Sequence, residues 1–210
     1  MRVALFGATG FVGRGVLAEL LARGHTVRAL VRDPARVEER EGLTVIGGDV
    51  LDREAVDRTV AGCEAVVSAI GTRRGEKADR DVLARAAGNV LEAMRRHGVK
   101  RLVAISGAGI SVRGERKPFP HNLISAALRA VAPGAVEPKQ REYEVLAGSD
   151  IAWTAVRPVR VVDAPATGRV RAGTSAGDLG MRVSRDDLAR FMVDQLEDGR
   201  FLREAPFVSG

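Results

Sequence analysis

Val3-Ala4-Leu5-Phe6-Gly7-Ala8-Thr9-Gly10-Phe11-Val12-Gly13 decides how the rest of the chain is read. Val3 to Phe6 is a short apolar run and reads as a buried strand. Gly7 stops it. Val16, Leu17, Leu20 and Leu21 then recur at helical spacing, so a helix follows at once. Between strand and helix the glycines fall in the pattern Gly-x-x-Gly-x-x-Gly. Gly7 lets the chain turn sharply without a Cβ clash. Gly10 lets the backbone come close to a bound group, and Gly13 lets the helix pack tightly on the strand. A helix that opens here points unpaired N–H groups and its positive dipole end at the turn, a field that suits a pyrophosphate. The stretch therefore reads as a dinucleotide-binding turn, with Gly7, Thr9, Gly10, Phe11, Val12 and Gly13 as contact residues.

The chain has 210 residues, enough for one domain with a substantial core. Apolar residues make up 45% and charged residues 29%, ordinary values for a soluble globular protein. No apolar run reaches the ~18–20 residues that span a bilayer. The N-terminus is a strand with an early glycine, not a signal peptide. Cys63 is the single cysteine, so no internal disulfide forms. That fits a reducing, cytoplasmic setting. Its place at the start of an apolar strand reads as a small buried hydrophobe. Lys plus Arg number 33 against 27 acids, a net of +6. The basic residues are interspersed with acids, and aromatics are 4%, which leaves no stacking platform for a nucleic acid. A modest positive field instead favours anionic small molecules. Neither a membrane nor a nucleic acid is the expected partner. A small-molecule substrate is, on a monomer or small homo-oligomer.

The second strand is Thr26 to Val31, after a helix closed by Gly24. Its end faces the adenosine ribose in a dinucleotide fold. Arg32 comes first there, and a guanidinium pairs with a 2′-phosphate, so the cofactor expected is NADP, with NAD second. Asp33 is read as the cap of a turn starting at Pro34. Arg14 and Arg36 supply further charge or are solvated helix arginines. Leu43 to Ile46 is the third strand. Asp49 and Val50 follow it, Asp49 either meeting the adenine amino group or serving as a turn aspartate. Cys63 to Ile70 is the fourth strand, and Ala69, Ile70 and Gly71 let a cofactor lie against the backbone. Asp79 to His97 is a long helix and Arg101 to Ser106 the fifth strand. Alternating strands and helices with near-continuous apolar strands imply an α/β doubly wound parallel sheet, a Rossmann fold. Ligands then lie across the carboxyl ends of the strands, where Gly7, Arg32, Asp49, Gly71 and Ser106 converge.

Gly107 to Pro120 is a polar loop, long enough for a lid. His121 to Val131 and Glu137 to Ala147 read as helices. Ile151 to Val156 is the sixth strand, ending in Arg157-Pro158, where Pro158 and Val159 meet the nicotinamide side or simply end the strand. Val159 to Gly180 is irregular, with a β-ribbon expected around Arg169–Arg171 and Met181–Val183. Ser184 caps the last helix. Pro206 to Val208 is a short final strand. Residues 1–210 thus form a single domain with a small C-terminal substrate lobe, its substrate-binding loops at about 107–135 and 158–184. His25, His97 and His121 are scattered and do not make a metal site.

Gly7-Ala8-Thr9-Gly10-Phe11-Val12-Gly13-Arg14, Gly48-Asp49-Val50, the strand-end Ser106 and Trp153-Thr154-Ala155-Val156-Arg157-Pro158 resemble the atypical short-chain dehydrogenase/reductase proteins. The nearest groups are the NAD(P)H-binding proteins similar to flavin reductase/biliverdin reductase B and the NmrA-like proteins. The resemblance implies a bound NADP or NAD and a ligand pocket after the fifth and sixth strands. One departure matters. Alcohol-oxidising members carry Tyr-x-x-x-Lys, where the lysine lowers the tyrosine pKa. Here Lys139 is preceded at that spacing by Ala135, and Tyr143 lies four residues after it instead. Side chains lean toward the helix N-terminus, so the reversed order is not equivalent. Ser106, Lys139 and Tyr143 are the candidate catalytic residues, Tyr143 reading more readily as packing and Ser106 also as a small residue closing a turn. Flavin reductase-like relatives manage without the tyrosine. The expected function is an NADPH-dependent reductase that passes hydride to a flavin, quinone or similar conjugated acceptor. The alternative is a non-catalytic, NmrA-like sensor of the dinucleotide.

Overall fold

A computed structural model of the chain describes residues 1–71, 80–112, 115, 133–175 and 180–210, with side chains from 136 onward in the stretch that begins at 133. The first half runs β1 (Arg2–Phe6), α1 (Phe11–Ala22), β2 (Thr26–Val31), β3 (Leu43–Gly47), α2 (Arg53–Val60), β4 (Ala65–Ser68), α3 (Val82–Arg96) and β5 (Arg101–Ile105). The second runs α4 (Pro133–Ala147), β6 (Ala152–Pro158), β7 (Val161–Val162), β8 (Arg171–Gly173), β9 (Val183–Ser184), α5 (Arg185–Asp194) and β10 (Phe207–Ser209).

The main sheet has the order β3-β2-β1-β4-β5-β6-β10-β8. Every pairing from β3 to β10 is parallel, and β8 closes the edge antiparallel to β10. Chain order reverses direction between β1 and β4, which is the switch point of a doubly wound sheet. Because side chains alternate along a strand, β1 feeds both faces. Val3 and Leu5 face Val16, Leu20, Leu188 and Met192 of α1 and α5. Ala4 and Phe6 face Val56, Leu91, Met94 and Leu146 of α2, α3 and α4. The sheet is buried on both sides, as its continuous apolar strands required.

Several expected boundaries move. β4 is Ala65–Ser68 rather than Cys63–Ile70, because Cys63 closes a turn onto Val60 and the β1–β4 ladder ends with Ala69 N on Phe6 O, where β1 gives way to the Gly7 turn. α3 begins at Val82, and Asp79 lies outside the described residues. So do the expected helix His121–Val131 and most of the loop that precedes it. The ribbon between Arg169–Arg171 and Met181–Val183 does not form. Arg171 pairs instead with Ser209, and Val183 with Val161. The open edge of β10 needed a partner for its N–H and C=O groups, and β8 supplies it. Among the described residues no helix is long and apolar enough to cross a membrane.

One carboxylate ties residues 167–168 to the start of α5. Asp187 is 1% exposed. It accepts hydrogen bonds from Ser184 Oγ (2.8 Å), Thr167 N (2.8 Å), Thr167 Oγ1 (3.0 Å) and Gly168 N (3.0 Å). Burial works to raise its pKa, but the bonds from Thr167, Ser184 and Gly168 outweigh it and hold the carboxyl below its ordinary value. The ionised form is therefore favoured by folding. Its contribution is complete above the ordinary carboxylate range and is lost as the pH falls through the lowered value. Asp187→Asn should cost about 2 kcal/mol in urea unfolding at neutral pH. The gap between variant and wild type should close in acid; a gap that acid leaves unchanged would assign the cost to packing.

Candidate functional site

The glycine turn is demanded first by the chain itself. Gly7 has φ of 84°, and a Cβ on it would stand 2.8 Å from Ala69 C and O. A Cβ on Gly13 would stand 1.9 Å from Gly7 O, so α1 rests directly on the end of β1. Gly10 N donates to Gly7 O at 3.0 Å, and a Cβ on Gly10 would lie 3.2 Å from that oxygen. Gly10 is also the N-cap of α1. It offers no side chain to the first N–H groups, and the first turn carries no acid. Elsewhere Asp52 caps α2 and Ser184 caps α5. The amide end of α1 is thus left for an anion. Phe11 is exposed beside it, with the Arg185 guanidinium 5.4 Å from its ring centroid. Thr9 and Val12 are half-buried around the same turn.

The cleft beside the turn is basic. Ala8, Thr9, Arg14, Leu17, Arg36, Val37, Glu38 and Arg40 line a cleft of about 280 Å³ beside the turn. Arg32 is exposed just past β2 and is not part of that lining. Asp33 accepts from Ala35 N at 3.2 Å and caps the short turn Pro34–Arg36, as its place before a proline indicated. Asp49 accepts from Leu51 N at 2.9 Å, an Asx turn that leads to the capping Asp52. Val50 is half-buried, its carbonyl held by Asn89 Nδ2 at 3.1 Å.

β4, β5 and β6 stop at the edge where the nicotinamide is expected. Ala69, Ile70, Gly71, Ser106, Pro158 and Val159 all lie there, as parallel pairing of their strands requires. Ser106 Oγ is buried and has no hydrogen-bond partner among the described residues. Pro158 is the last residue of β6, so its missing N–H costs the ladder nothing. Lys139 comes up from α4 beneath this edge. Its Nζ donates to Ile70 O, Ile105 O and Glu142 Oε2, each at 2.7 Å. An ammonium has three hydrogens, so none is left for Tyr143. Tyr143 is 8% exposed and packs edge-on against Trp153, ring centroids 5.8 Å apart. Burial pushes its phenol above the ordinary value, with Arg157 working to lower it and Glu115 to raise it further. Burial likewise pushes the Glu142 carboxyl up, with Lys139 working against it.

The two expected substrate loops meet along one face of β6. Val112 and Glu115 from the first, with Thr174 and Ser175 from the second, line a cleft of about 450 Å³ shared with Tyr143, Trp153 and Arg157. Arg157 is 1% exposed. It takes Glu115 in a two-pronged pair at 2.9 Å, donates to Ala205 O at 2.7 Å, and lies 3.7 Å over the Phe207 ring.

Sequence reasoning missed Glu142, Glu115 and Arg40. Glu142 had a signal, since three residues is a contact distance on a helix and a buried lysine needs a partner. Glu115 and Arg40 had none, because each is brought in by a loop.

Residues 7–199 match a family model described as NAD(P)H-binding. A 3-diazoavenalumate denitrifying reductase of a Streptomyces species is 36% identical over 197 residues, 84% of this chain and 61% of that protein. The dihydroflavonol 4-reductase of Hordeum vulgare is 34% identical over 134 residues, 56% of this chain and 38% of that protein. The chain thus spans less than two thirds of either relative. A Burkholderia pseudomallei structure, described as an exported protein, superposes with a TM-score of 0.78 at 30% identity, each chain covered in full. The fold is also that of ChuY, an anaerobillin reductase of Escherichia coli O157:H7, with a TM-score of 0.82 at 20% identity over 100% of this chain and 97% of that one.

The two helix-side glycines should fail differently. Gly13→Ala drives a Cβ into Gly7 O and should cost about 3 kcal/mol in thermal unfolding. Gly10→Val should leave a folded protein that no longer binds dinucleotide, as read by calorimetry. Unchanged affinity in folded Gly10→Val would remove the pyrophosphate from this turn.

Proposed function

The chain belongs to the NAD(P)H-binding family, and on that premise we propose that it is an NADPH-dependent reductase whose acceptor is a flavin, quinone or similar conjugated ring. The observation that carries this reading is the commitment of the Lys139 ammonium to two carbonyls and a carboxylate. Bound NADPH supplies the hydride. The chain's residues bind and orient. The amide end of α1 and the glycine turn take the pyrophosphate, and Asp49 and Val50 border the adenine. Ala69, Ile70, Gly71, Pro158 and Val159 form the floor at the other end. The unpartnered Ser106 Oγ supplies a hydrogen bond to the carboxamide or the acceptor. A carbonyl or alcohol substrate needs a positioned acid or base, commonly worth ~10²–10⁴ in rate. With Lys139 occupied and the Tyr143 phenol pushed up, that help is lacking. A ring that spreads incoming electrons and protonates from solvent needs it less, and proximity does most of the work.

What supports NADP over NAD is the basic adenosine end, with Arg32 at the strand end and Arg14, Arg36 and Arg40 around the adjoining cleft. The acceptor is assigned to the cleft where both substrate loops meet. A cytoplasmic setting is supported by the single Cys63, buried, with its thiol pushed by burial to about 11 and its Sγ bonded to Thr59 O. The Burkholderia pseudomallei neighbour described as exported points the other way.

NADPH consumption with a panel of flavins and quinones tests the reading. Tyr143→Phe should leave the rate nearly intact and Ser106→Ala should lower it modestly. A collapse in folded Tyr143→Phe would make the reversed Lys139–Tyr143 pair a working acid. Tight NADPH binding with no turnover on any acceptor would favour the sensor instead.

Arg32→Ala should weaken NADP by roughly ten- to a hundredfold and leave NAD nearly unchanged in calorimetry. If Arg36→Ala shows that pattern and Arg32→Ala does not, the selector is the cleft.

A further inference from the structure

Lys139 and Glu142 stand three residues apart on α4, 8% and 5% exposed, and binding and hydride transfer as described leave the pair without a task. The carbonyls that Lys139 holds belong to neighbouring strands just past their last shared rung. The β4–β5 ladder stops at Ser68 opposite Ala104. Beyond it the Ile70 and Ile105 carbonyls have no strand N–H between them, and the ammonium bridges both. On one side, the held segment is what the glycine turn sits on. A Cβ on Gly7 would lie 2.8 Å from Ala69 C and 3.0 Å from Ile70 N. On the other side, Ile105 precedes Ser106, whose N–H donates to Val156 O at 2.7 Å and whose Oγ is unpartnered among the described residues.

We propose that Lys139 is a positioning residue, with Glu142 as the counter-charge that lets it be buried: together they set the spacing of the β4 and β5 ends so that the nicotinamide half of the dinucleotide seats between Gly71 and Ser106. This rests on the NAD(P)H reading above and goes beyond it. A buried ion pair is a poor way to gain stability alone, since apolar residues of similar volume often do as well or better. What apolar residues cannot do is donate to two carbonyls at once. Lys139→Met leaves both carbonyls unpaired and the Glu142 carboxylate uncompensated, so it should lose stability and positioning together. Lys139→Met combined with Glu142→Leu removes the stranded charge. It should recover stability while the two carbonyls remain free to turn.

The test pairs two ligands. Adenosine 2′,5′-bisphosphate uses only the adenosine end, whereas NADPH uses both. Calorimetry should find the bisphosphate bound within about twofold of wild type by both variants when folded, because its site is remote from Lys139. NADPH should bind about tenfold or more weakly to both, including the double variant whose melting temperature has recovered. Should Lys139→Met not fold, the double variant and Glu142→Gln carry the comparison. A double variant that binds NADPH like wild type would overturn the proposal. So would an equal loss of both ligands, which is what a merely structural role predicts. A wild-type protein that binds the bisphosphate but gains nothing from the nicotinamide half would overturn the cofactor reading and this proposal with it.

Discussion

Three backbone segments at the carboxyl edge of the sheet are held against one another, and the site depends on that contact. Gly13 presses on Gly7 O, Gly7 presses on the Ala69–Ile70 peptide, and Lys139 holds the carbonyl of Ile70 from below. The cause is general. A parallel sheet ends in a row of carbonyls and N–H groups with no hairpin turn to satisfy them. Each must find a donor or acceptor from another element or be left for a ligand. Here Ala69 N is satisfied by Phe6 O, Ser106 N by Val156 O, and two carbonyls by a lysine. Among the described residues, the amide end of α1 has no side-chain cap and the hydroxyl of Ser106 has no hydrogen-bond partner.

Charge follows the same division. Many arginines are spent on surface pairs, such as Arg96 with Asp57, Arg23 with Glu19 and Asp194, and Arg141 with Asp81 and Glu137. Exposed pairs of this kind contribute little to stability. The cleft beside the glycine turn is different, because Arg14, Arg36 and Arg40 share it with one acid, Glu38. Its field is directed at the glycine turn and the amide end of α1. The buried Arg157–Glu115 pair does another job. It fastens Glu115 to β6 beside β10, so one wall of the cleft along β6 is anchored to the sheet.

The two ends of the site are built differently. The Streptomyces and barley relatives are both reductases, and both are longer than this chain. The glycine turn comes from adjacent residues between one strand and one helix. The cleft along β6 is assembled from α4, β6, Val112 and Glu115 after β5, Thr174 and Ser175 after β8, and residues 203–205, parts far apart in the chain. Such a surface can change its chemistry without disturbing the cofactor end.

By itself the sequence determined everything that adjacent residues decide. The strand–turn–helix at Gly7–Gly13, the sheet buried on both faces, and the caps at Asp33 and Ser184 depend on spacings of a few residues. So does the gathering of Gly7, Arg32, Asp49, Gly71 and Ser106 at one edge, since parallel strands bring their ends together. The tertiary structure decided whatever depends on a partner from elsewhere in the chain. Cys63 and Ile70 look like strand residues, but Cys63 N closes a turn onto Val60 O, and the β1–β4 pairing ends at Phe6 where the chain turns at Gly7. Arg171 pairs with β10, where the sheet offered a free edge, and Val183 pairs with β7 in a separate two-stranded sheet, rather than with each other's neighbourhood. Lys139 shows the limit most clearly. Its position beside Tyr143 on a helix face is legible as spacing, yet an ammonium goes to the strongest acceptors within reach. Those are two carbonyls 69 and 34 residues away and the carboxylate of Glu142, which only the packed fold brings together.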